Sequence, residues 1–322
     1  MNALPPEPLY LAGPTAVGKS AVALALAERV GGEIVSVDSM QVYRGLDLGT
    51  AKPTAAERAR VPHHLIDVVA LDEPFHAARF VALAQEAVAG IRRRGRRPIF
   101  CGGTGLYFKA WIEGLGEAPP ADPALRAELE ATPREQLLRE LEQRDPEAYA
   151  RIDRANPRRL VRAIEVIRLT SKPFTAQRAA WGRPAQGDDA PATVLWGLNR
   201  HPTDLRARIE ARVDAMFAAG LVAETRQLLE QGLGRNPTAL QALGYRQVVE
   251  HLHGLRSLDA TREWVRRKTW QLARRQLTWF RHQLPVHWWH VDPEESPEAV
   301  AQRLARGSDE HRWSCRPRRQ TQ

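Results

Sequence analysis

The chain reads as an α/β protein, a parallel sheet flanked by helices with a helical insertion domain set into it. Three observations predict this. Short β-rich runs alternate with helical stretches over the first 116 residues, the order of a parallel sheet covered by crossover helices. A glycine-rich segment from Gly13 to Ser20 falls where a first strand hands over to a first helix. From Glu117 to about Pro191 strand signals stop, and Pro-led helix starts such as Asp122-Pro123 and Thr132-Pro133 take their place.

Element by element, strands are expected at Leu9 to Ala12, Glu33 to Val37, His64 to Val69 and Arg97 to Cys101, with helices at about 18 to 30 and 77 to 94. Strand patterns return at Thr193 to Asn199 and Val286 to Val291, and helices fill most of 203 to 283. The expected organisation is a core over 1–116, a helical insertion over 117–191, the core continued over 192–307, and a basic, poorly ordered tail over 308–322. Glycines near the joins, Gly116 and Gly182 to Gly187, are the expected hinges of the insertion.

At 322 residues, 43% hydrophobic and 26% charged, the chain has the composition of a folded globular protein with room for a large core, which excludes a disulfide or metal mini-scaffold. No apolar run approaches the roughly 20 residues of a bilayer span, and the N-terminal MNALPPEPLYLAGP lacks a charged n-region. Neither membrane insertion nor secretion is expected. Cys101 and Cys315 make no C-x-x-C pair, so redox chemistry drops out and the cytoplasm is the expected compartment. With no heptad pattern, a monomer is expected. Lys+Arg exceed Asp+Glu by 47 to 38, and only five of the cations are lysines. An arginine-rich surface pairs with phosphates and stacks on bases, so a polyanionic partner is expected.

Gly13, Pro14, Thr15, Ala16, Val17, Gly18, Lys19 and Ser20 spell G-x-x-x-x-G-K-S, a P-loop between strand and helix. Its glycines let backbone N–H groups converge on phosphate oxygens at the positive end of the following helix. Lys19 adds a point charge, and Ser20 a hydroxyl for Mg2+, the expected cofactor. The motif by itself also spells ATP-binding. A hydrolysed nucleoside triphosphate would call for a second apolar strand ending in Asp, whereas the strand at 97–101 runs into Gly102-Gly103-Thr104-Gly105. Either the metal is held differently or the phosphates do not belong to a hydrolysed triphosphate. The carboxylate that stands out is Asp38, at the end of the second strand, on the rim that parallel strands share with the P-loop and Thr104. It fits a general base beside a phosphate leaving group; alone it would be a turn cap.

Between Arg262 and Arg281 stand seven cations and one acid, Glu263. On a helix, Arg267, Gln271, Arg274, Thr278 and Arg281 share one stripe, with Val265, Leu272, Ala273 and Phe280 opposite. Trp196, Trp264 and Trp279 occupy apolar periodic positions and are expected in the core. His282, His287 and His290 have no acid or cysteine to complete a metal ligand set.

Taken together, GPTAVGKS (13–20), DSMQVYR (38–44), GTAKP (49–53), PHHLID (62–67), GGTGLYFK (102–109), NPRRLVRAIEV (156–166), GYRQ (244–247) and RRQLTWFR (274–281) resemble the tRNA dimethylallyltransferase family, in that family's order. Lacking the C-terminal zinc-finger module of eukaryotic members, the chain resembles the bacterial form. The resemblance implies transfer of a dimethylallyl group from dimethylallyl diphosphate to N6 of the adenosine immediately 3′ of the tRNA anticodon. It implies Asp38 as the base, Thr104 at the reacting centre, and the P-loop with Arg212 on the diphosphate. It implies tRNA contacts at Asp38, Ser39, Met40, Gln41, Thr104 and Arg126, at Arg158, Arg159, Leu160, Val161 and Arg162, and at Gln241, Ala242, Leu243, Gly244, Tyr245 and Arg246. Arg274, Arg275, Gln276, Leu277, Thr278, Trp279, Phe280 and Arg281 complete that set. His63 lies in a family motif without a derivable role. The rival readings are a P-loop small-molecule kinase, which would not need the Arg-rich helix, and a non-catalytic RNA-binding protein, which would not need an intact Gly18-Lys19-Ser20 with Asp38.

Overall fold

A computed structural model of the chain describes residues 7–177 and 194–314. The elements are, in order, β1 (Leu9–Ala12), α1 (Lys19–Val30), β2 (Gly32–Val37), α2 (Ala55–Arg60), β3 (His63–His64), α3 (Ala77–Arg93), β4 (Arg97–Gly102) and α4 (Gly105–Ile112). Then come α5 (Pro123–Ala131), α6 (Arg134–Arg144), α7 (Pro146–Arg151), α8 (Pro157–Thr170) and α9 (Phe174–Gln177). The chain continues through β5 (Leu195–Asn199), α10 (Pro202–Ala218), α11 (Leu221–Glu230), α12 (Tyr245–Leu252), α13 (Leu258–Gln283), β6 (Val286–His290) and α14 (Pro297–Ser314).

The strands form one six-stranded sheet in the order β3-β2-β4-β1-β5-β6, parallel at every pairing. β1, β2 and β4 are buried almost throughout, which is why β1 and the centre of β4 read as continuous apolar runs rather than alternating ones; β2 also buries Glu33 and Ser36. The first join is made by glycine. Gly18, at φ 103°, precedes α1, and Gly31, at φ 63°, ends it with its N–H donating to the Ala27 carbonyl, a left-handed cap that lets β2 follow at once. α1 and α3 pack on the β2–β4 part of the sheet, and α14 packs along α1.

Two expectations about this part are corrected. The strand expected from His64 to Val69 is only His63–His64, because Leu65 and Asp67 take left-handed φ values of 61° and 57° and break the extended run. Lys52 and Arg58 both pair with the Asp67 carboxylate, at 2.5 and 2.8 Å, and hold the turn. The segment expected to begin a disordered tail at 308 is helical as far as Ser314.

By contacts the chain divides into two compact units, 1–109 with 191–322, and 110–190. The second begins seven residues before the expected 117, because the last turn of α4 belongs to it. The expected hinge at Gly182 to Gly187 lies outside the described residues. The helical unit is started by capping residues: Asp122, Asp145 and Asn156 accept from the first-turn N–H groups of α5, α7 and α8. Leu129, Leu137, Leu141, Leu160, Ile164 and Ile167 fill its core. The buried Glu165 carboxylate accepts from Asp122 N at 3.1 Å, Arg126 at 2.6 Å and Arg162 at 2.7 Å, as a charge without solvent must be. No helix among the described residues is long and apolar enough to cross a membrane.

Candidate active site

The carboxyl ends of β1, β2 and β4 converge beneath α10 and α13. The P-loop takes its wrapped path through Gly13 at φ 147°, Ala16 at 64° and Gly18 at 103°. A Cβ on Gly13 would stand 2.7 Å from the Leu198 carbonyl, so only glycine lets β1 turn there beside β5. Lys19 Nζ donates to the Pro14 carbonyl at 2.6 Å. Burial pushes its ammonium down to about 8, with the Arg212 charge adding to the effect and Cys101 and Asp38 opposing it. Such a cation gains when an anion arrives. The Cys101 thiol nearby is pushed up to about 11 by burial and is no nucleophile at neutral pH.

α13 ties the loop to the end of β4. Gln276 Oε1 accepts from Thr15 N at 2.8 Å while its Nε2 donates to the Gly103 carbonyl at 3.0 Å. A Cβ on Gly103 would meet Gln276 at 2.4 Å, and one on Gly105 would meet the Trp279 ring at 2.1 Å. The glycines of GGTG thus let α13 approach. At the end of β2, Asp38 Oδ1 accepts from Met40 N at 2.8 Å and Gln41 N at 3.2 Å. Thr104 Oγ1 accepts from Ser39 N at 3.1 Å, so its own proton is available to donate.

Two adjoining cavities result. One, about 420 Å³, is lined by Thr15, Gly18, Lys19, Ser20, Arg208 and Arg212 among others. The second, about 360 Å³, is lined by Met40, Val213, Met216, Leu243, Val265 and Leu272 together with Ser39, Thr104, Gln241 and Arg275. Asp38, Thr15, Thr50, Gly103, Arg212 and Gln276 line both. The structure therefore brings the P-loop, Arg212, Asp38 and Thr104 into one place, as the sequence led one to expect.

Other expected contacts fall elsewhere. The side chains of Leu160, Val161, Tyr245 and Phe280 are buried at packing positions of the segments that carry the motif's polar residues, while Ala242, also buried, lines the second cavity. Tyr245 is a strut: its hydroxyl donates to Glu224 Oε1 at 2.6 Å and accepts from Gly49 N at 3.0 Å, and Glu224 also accepts from Leu48 N at 3.2 Å. It thus holds the loop that brings Gly49 and Thr50 to the cavities. The stripe Arg267, Gln271, Arg274, Thr278 and Arg281 is exposed, but at 100° per residue it lies opposite the face of Val265, Thr269, Leu272 and Gln276 that lines the second cavity. Trp196 is buried as expected. Trp264 is not in the core; Arg256, Arg267 and Lys268 stand within 4.0–4.8 Å of its ring centre. Trp279 is half-buried against Gly105. His63 Nδ1 lies 2.7 Å from the Val61 carbonyl, away from the cavities.

Arg200 and Arg208 were not singled out from the sequence, yet both hold P-loop carbonyls. The available signal was Arg208 and Arg212 four apart on one helix. No group of three His, Cys, Asp or Glu able to hold a metal occurs among the described residues. Ser20 in the first cavity is a hard oxygen donor that suits Mg2+ shared with phosphate, an ion that keeps few protein ligands.

Fold and site define a P-loop protein whose loop opens on a cavity lined by Lys19, Arg208 and Arg212, with the Asp38 carboxylate and a second cavity beside it. The chain belongs to the IPP transferase family, whose model matches residues 41–283. It is 48% identical over 293 residues to a tRNA dimethylallyltransferase of Thermus thermophilus, covering 88% of this chain and 91% of that one. It is 44% identical over 295 residues to tRNA dimethylallyltransferase 1 of Trichlorobacter lovleyi, covering 90% and 95%. Among solved structures, it resembles the full-length tRNA isopentenylpyrophosphate transferase of Bacillus halodurans (TM-score 0.68, 36% identity, 97% and 99% covered). It also resembles a eukaryotic dimethylallyltransferase caught acting on tRNA (TM-score 0.80, 25% identity, 98% and 81% covered).

Proposed function

We propose that this chain transfers the dimethylallyl group of dimethylallyl diphosphate to N6 of the adenosine immediately 3′ of the anticodon in tRNA, releasing diphosphate. The observation that carries the reading is Asp38 standing on the wall shared by a cationic phosphate cavity and a second, more apolar cavity able to admit a base. An adenine amino group is a weak nucleophile, its lone pair delocalised into the ring. An allylic carbon develops positive charge early as its bond to diphosphate lengthens. The protein's task is therefore to stabilise the leaving anion and orient the amine.

The P-loop amides, Lys19 and Arg212 are placed to stabilise charge as it accumulates on the diphosphate. With Oδ1 held by two backbone N–H groups, Asp38 presents Oδ2 to accept a hydrogen bond, then the proton, from N6. The Thr104 hydroxyl fixes the approach. Ser20 with the phosphate oxygens would hold Mg2+, which when bound adds charge neutralisation to the leaving group. The target base must leave its stack to reach Asp38, a condition that an unpaired anticodon loop meets. Arg126, Arg158, Arg159, Arg162 and Arg246 would supply backbone contacts.

The test is incorporation of labelled dimethylallyl into unmodified tRNA with magnesium and without ATP. Wild type should label tRNA, and Asp38→Ala should lower kcat by about 10²–10⁴ with donor binding retained. ATP consumption without prenyl transfer would replace this reading with a kinase.

A further inference from the structure

Three arginines grip three successive P-loop residues. Arg212 Nη1 donates to Thr15 Oγ1 at 3.1 Å, Arg208 Nε to the Ala16 carbonyl at 3.0 Å, and Arg200 Nε to the Val17 carbonyl at 2.8 Å. Holding the carbonyls of 16 and 17 outward helps turn the loop's N–H groups toward the cavity, the arrangement an anion needs. What each arginine has left over differs. Arg200 is buried, and its Nη1 pairs with Asp204 at 2.9 Å, so its charge is already neutralised. Arg208 has no carboxylate within ion-pair distance among the described residues. It stands at the exposed mouth of the 420 Å³ cavity that Lys19, Ser20 and Arg212 line from within. Its Nη2 lies only 3.6 Å from where a Cβ on Gly18 would be.

We propose that Arg208 is a second diphosphate-binding arginine, closing over the anion that the P-loop and Lys19 hold from beneath. The proposal rests on the reading of this cavity as the donor's diphosphate site. Three features support it beyond position. With Nε fixed by the Ala16 carbonyl, the guanidinium is pre-organised and both terminal nitrogens remain to donate, so less side-chain freedom is lost when phosphate binds. Arg208 and Arg212 are four residues apart on α10 and so on one face, about 6 Å apart along the axis. That separation suits the outer oxygens of a diphosphate better than one phosphate group. Finally, desolvation disfavours the Arg208 cation, a cost that an arriving anion relieves.

The experiment is calorimetric titration of the full chain with inorganic pyrophosphate, and separately with inorganic phosphate, in the presence of magnesium. Arg208→Ala and Arg208→Gln are compared with wild type and with Arg206→Ala, an exposed neighbour on α10 that lines neither the donor cavity nor the second one. The glutamine keeps an N–H able to reach the Ala16 carbonyl and lacks the charge. Both Arg208 variants should raise the pyrophosphate Kd about 10-fold or more, with a smaller change for phosphate, while Arg206→Ala stays near wild type. The KM for dimethylallyl diphosphate should rise in step while tRNA affinity holds. Wild-type affinity in Arg208→Gln alongside weakened binding in Arg208→Ala would make Arg208 a loop support only and overturn the proposal. Unchanged binding in both variants would overturn it too. Failure of wild type to bind pyrophosphate at all would remove the proposal together with the donor-site reading, and is told apart from the other results by the wild-type titration.

Discussion

Raising the pH from 7 to 9 should weaken diphosphate binding about tenfold through Lys19. In the free protein its ammonium titrates at about 8, depressed chiefly by burial, so it is about 90% charged at pH 7 and about 10% at pH 9. On an alkyl diphosphate the phosphate groups do not cancel the effect, since the last ionisation, near pH 6 as for a monoester, is largely complete over this range. Cys101, pushed up to about 11, stays protonated as well. Bound anion favours the charged form and raises the Lys19 pKa in the complex. Affinity is therefore full below the free-state value, declines as pH rises through about 8, and levels off above the bound-state value.

Calorimetric titration with dimethylallyl diphosphate, without tRNA, between pH 7 and 9.5 at fixed ionic strength, in buffers of different ionisation enthalpy, reads both Kd and proton linkage. Near pH 8, about half a proton should be taken up per ligand bound. Lys19→Met should bind more weakly at pH 7 and show no such dependence. A wild-type Kd that is flat from pH 7 to 9, or release of protons on binding, would refute the account of Lys19 as a depressed cation waiting for its anion.

Two further outcomes separate roles that the motifs run together. Tyr245→Phe removes the hydroxyl shared by Glu224 and Gly49 N and should cost about 1–3 kcal/mol in chemical denaturation, with a raised donor KM; a loss of tRNA affinity at unchanged stability would instead make Tyr245 an RNA contact. On α13, Lys268→Ala with Arg275→Ala should weaken tRNA binding and lower the slope of log K against log salt by about 1 or more. Those two cations lie on the flank beside the second cavity, which Arg275 lines, whereas Arg274→Ala with Arg281→Ala alters the opposite face and should change the slope less. The reverse order would place the RNA along the outer stripe.

The legible parts of this protein were those whose cause is local. β1 and the centres of β2 and β4 are apolar or β-branched because both faces are buried, so their sequences carry the signal without help from neighbours. The P-loop is legible for the same reason: the backbone conformation that needs glycine at 13 and 18 is a property of eight consecutive residues. Asp38 and Thr104 could be placed beside it because parallel strands present their carboxyl ends to one crevice. The strand expected through Val69 failed where positive φ at Leu65 and Asp67 is held by Lys52 and Arg58, partners that propensity does not include. Trp264 has an apolar side chain at a helical spacing that fits a core, and only the position of Arg256, Arg267 and Lys268 about its ring marks it as a surface residue.

By itself, then, the sequence determined the parallel α/β frame, the P-loop and the carboxylate at its rim, since each depends on periodicity, glycine conformation and strand direction within a short segment. The tertiary structure alone decided what holds the loop in its binding conformation. Gln276 lies 261 residues from Thr15, Arg208 lies 192 from Ala16, and Tyr245 lies 196 from Gly49. Hydrogen bonds across such distances exist only after the chain has folded, when a side chain's partner is set by what packs beside it.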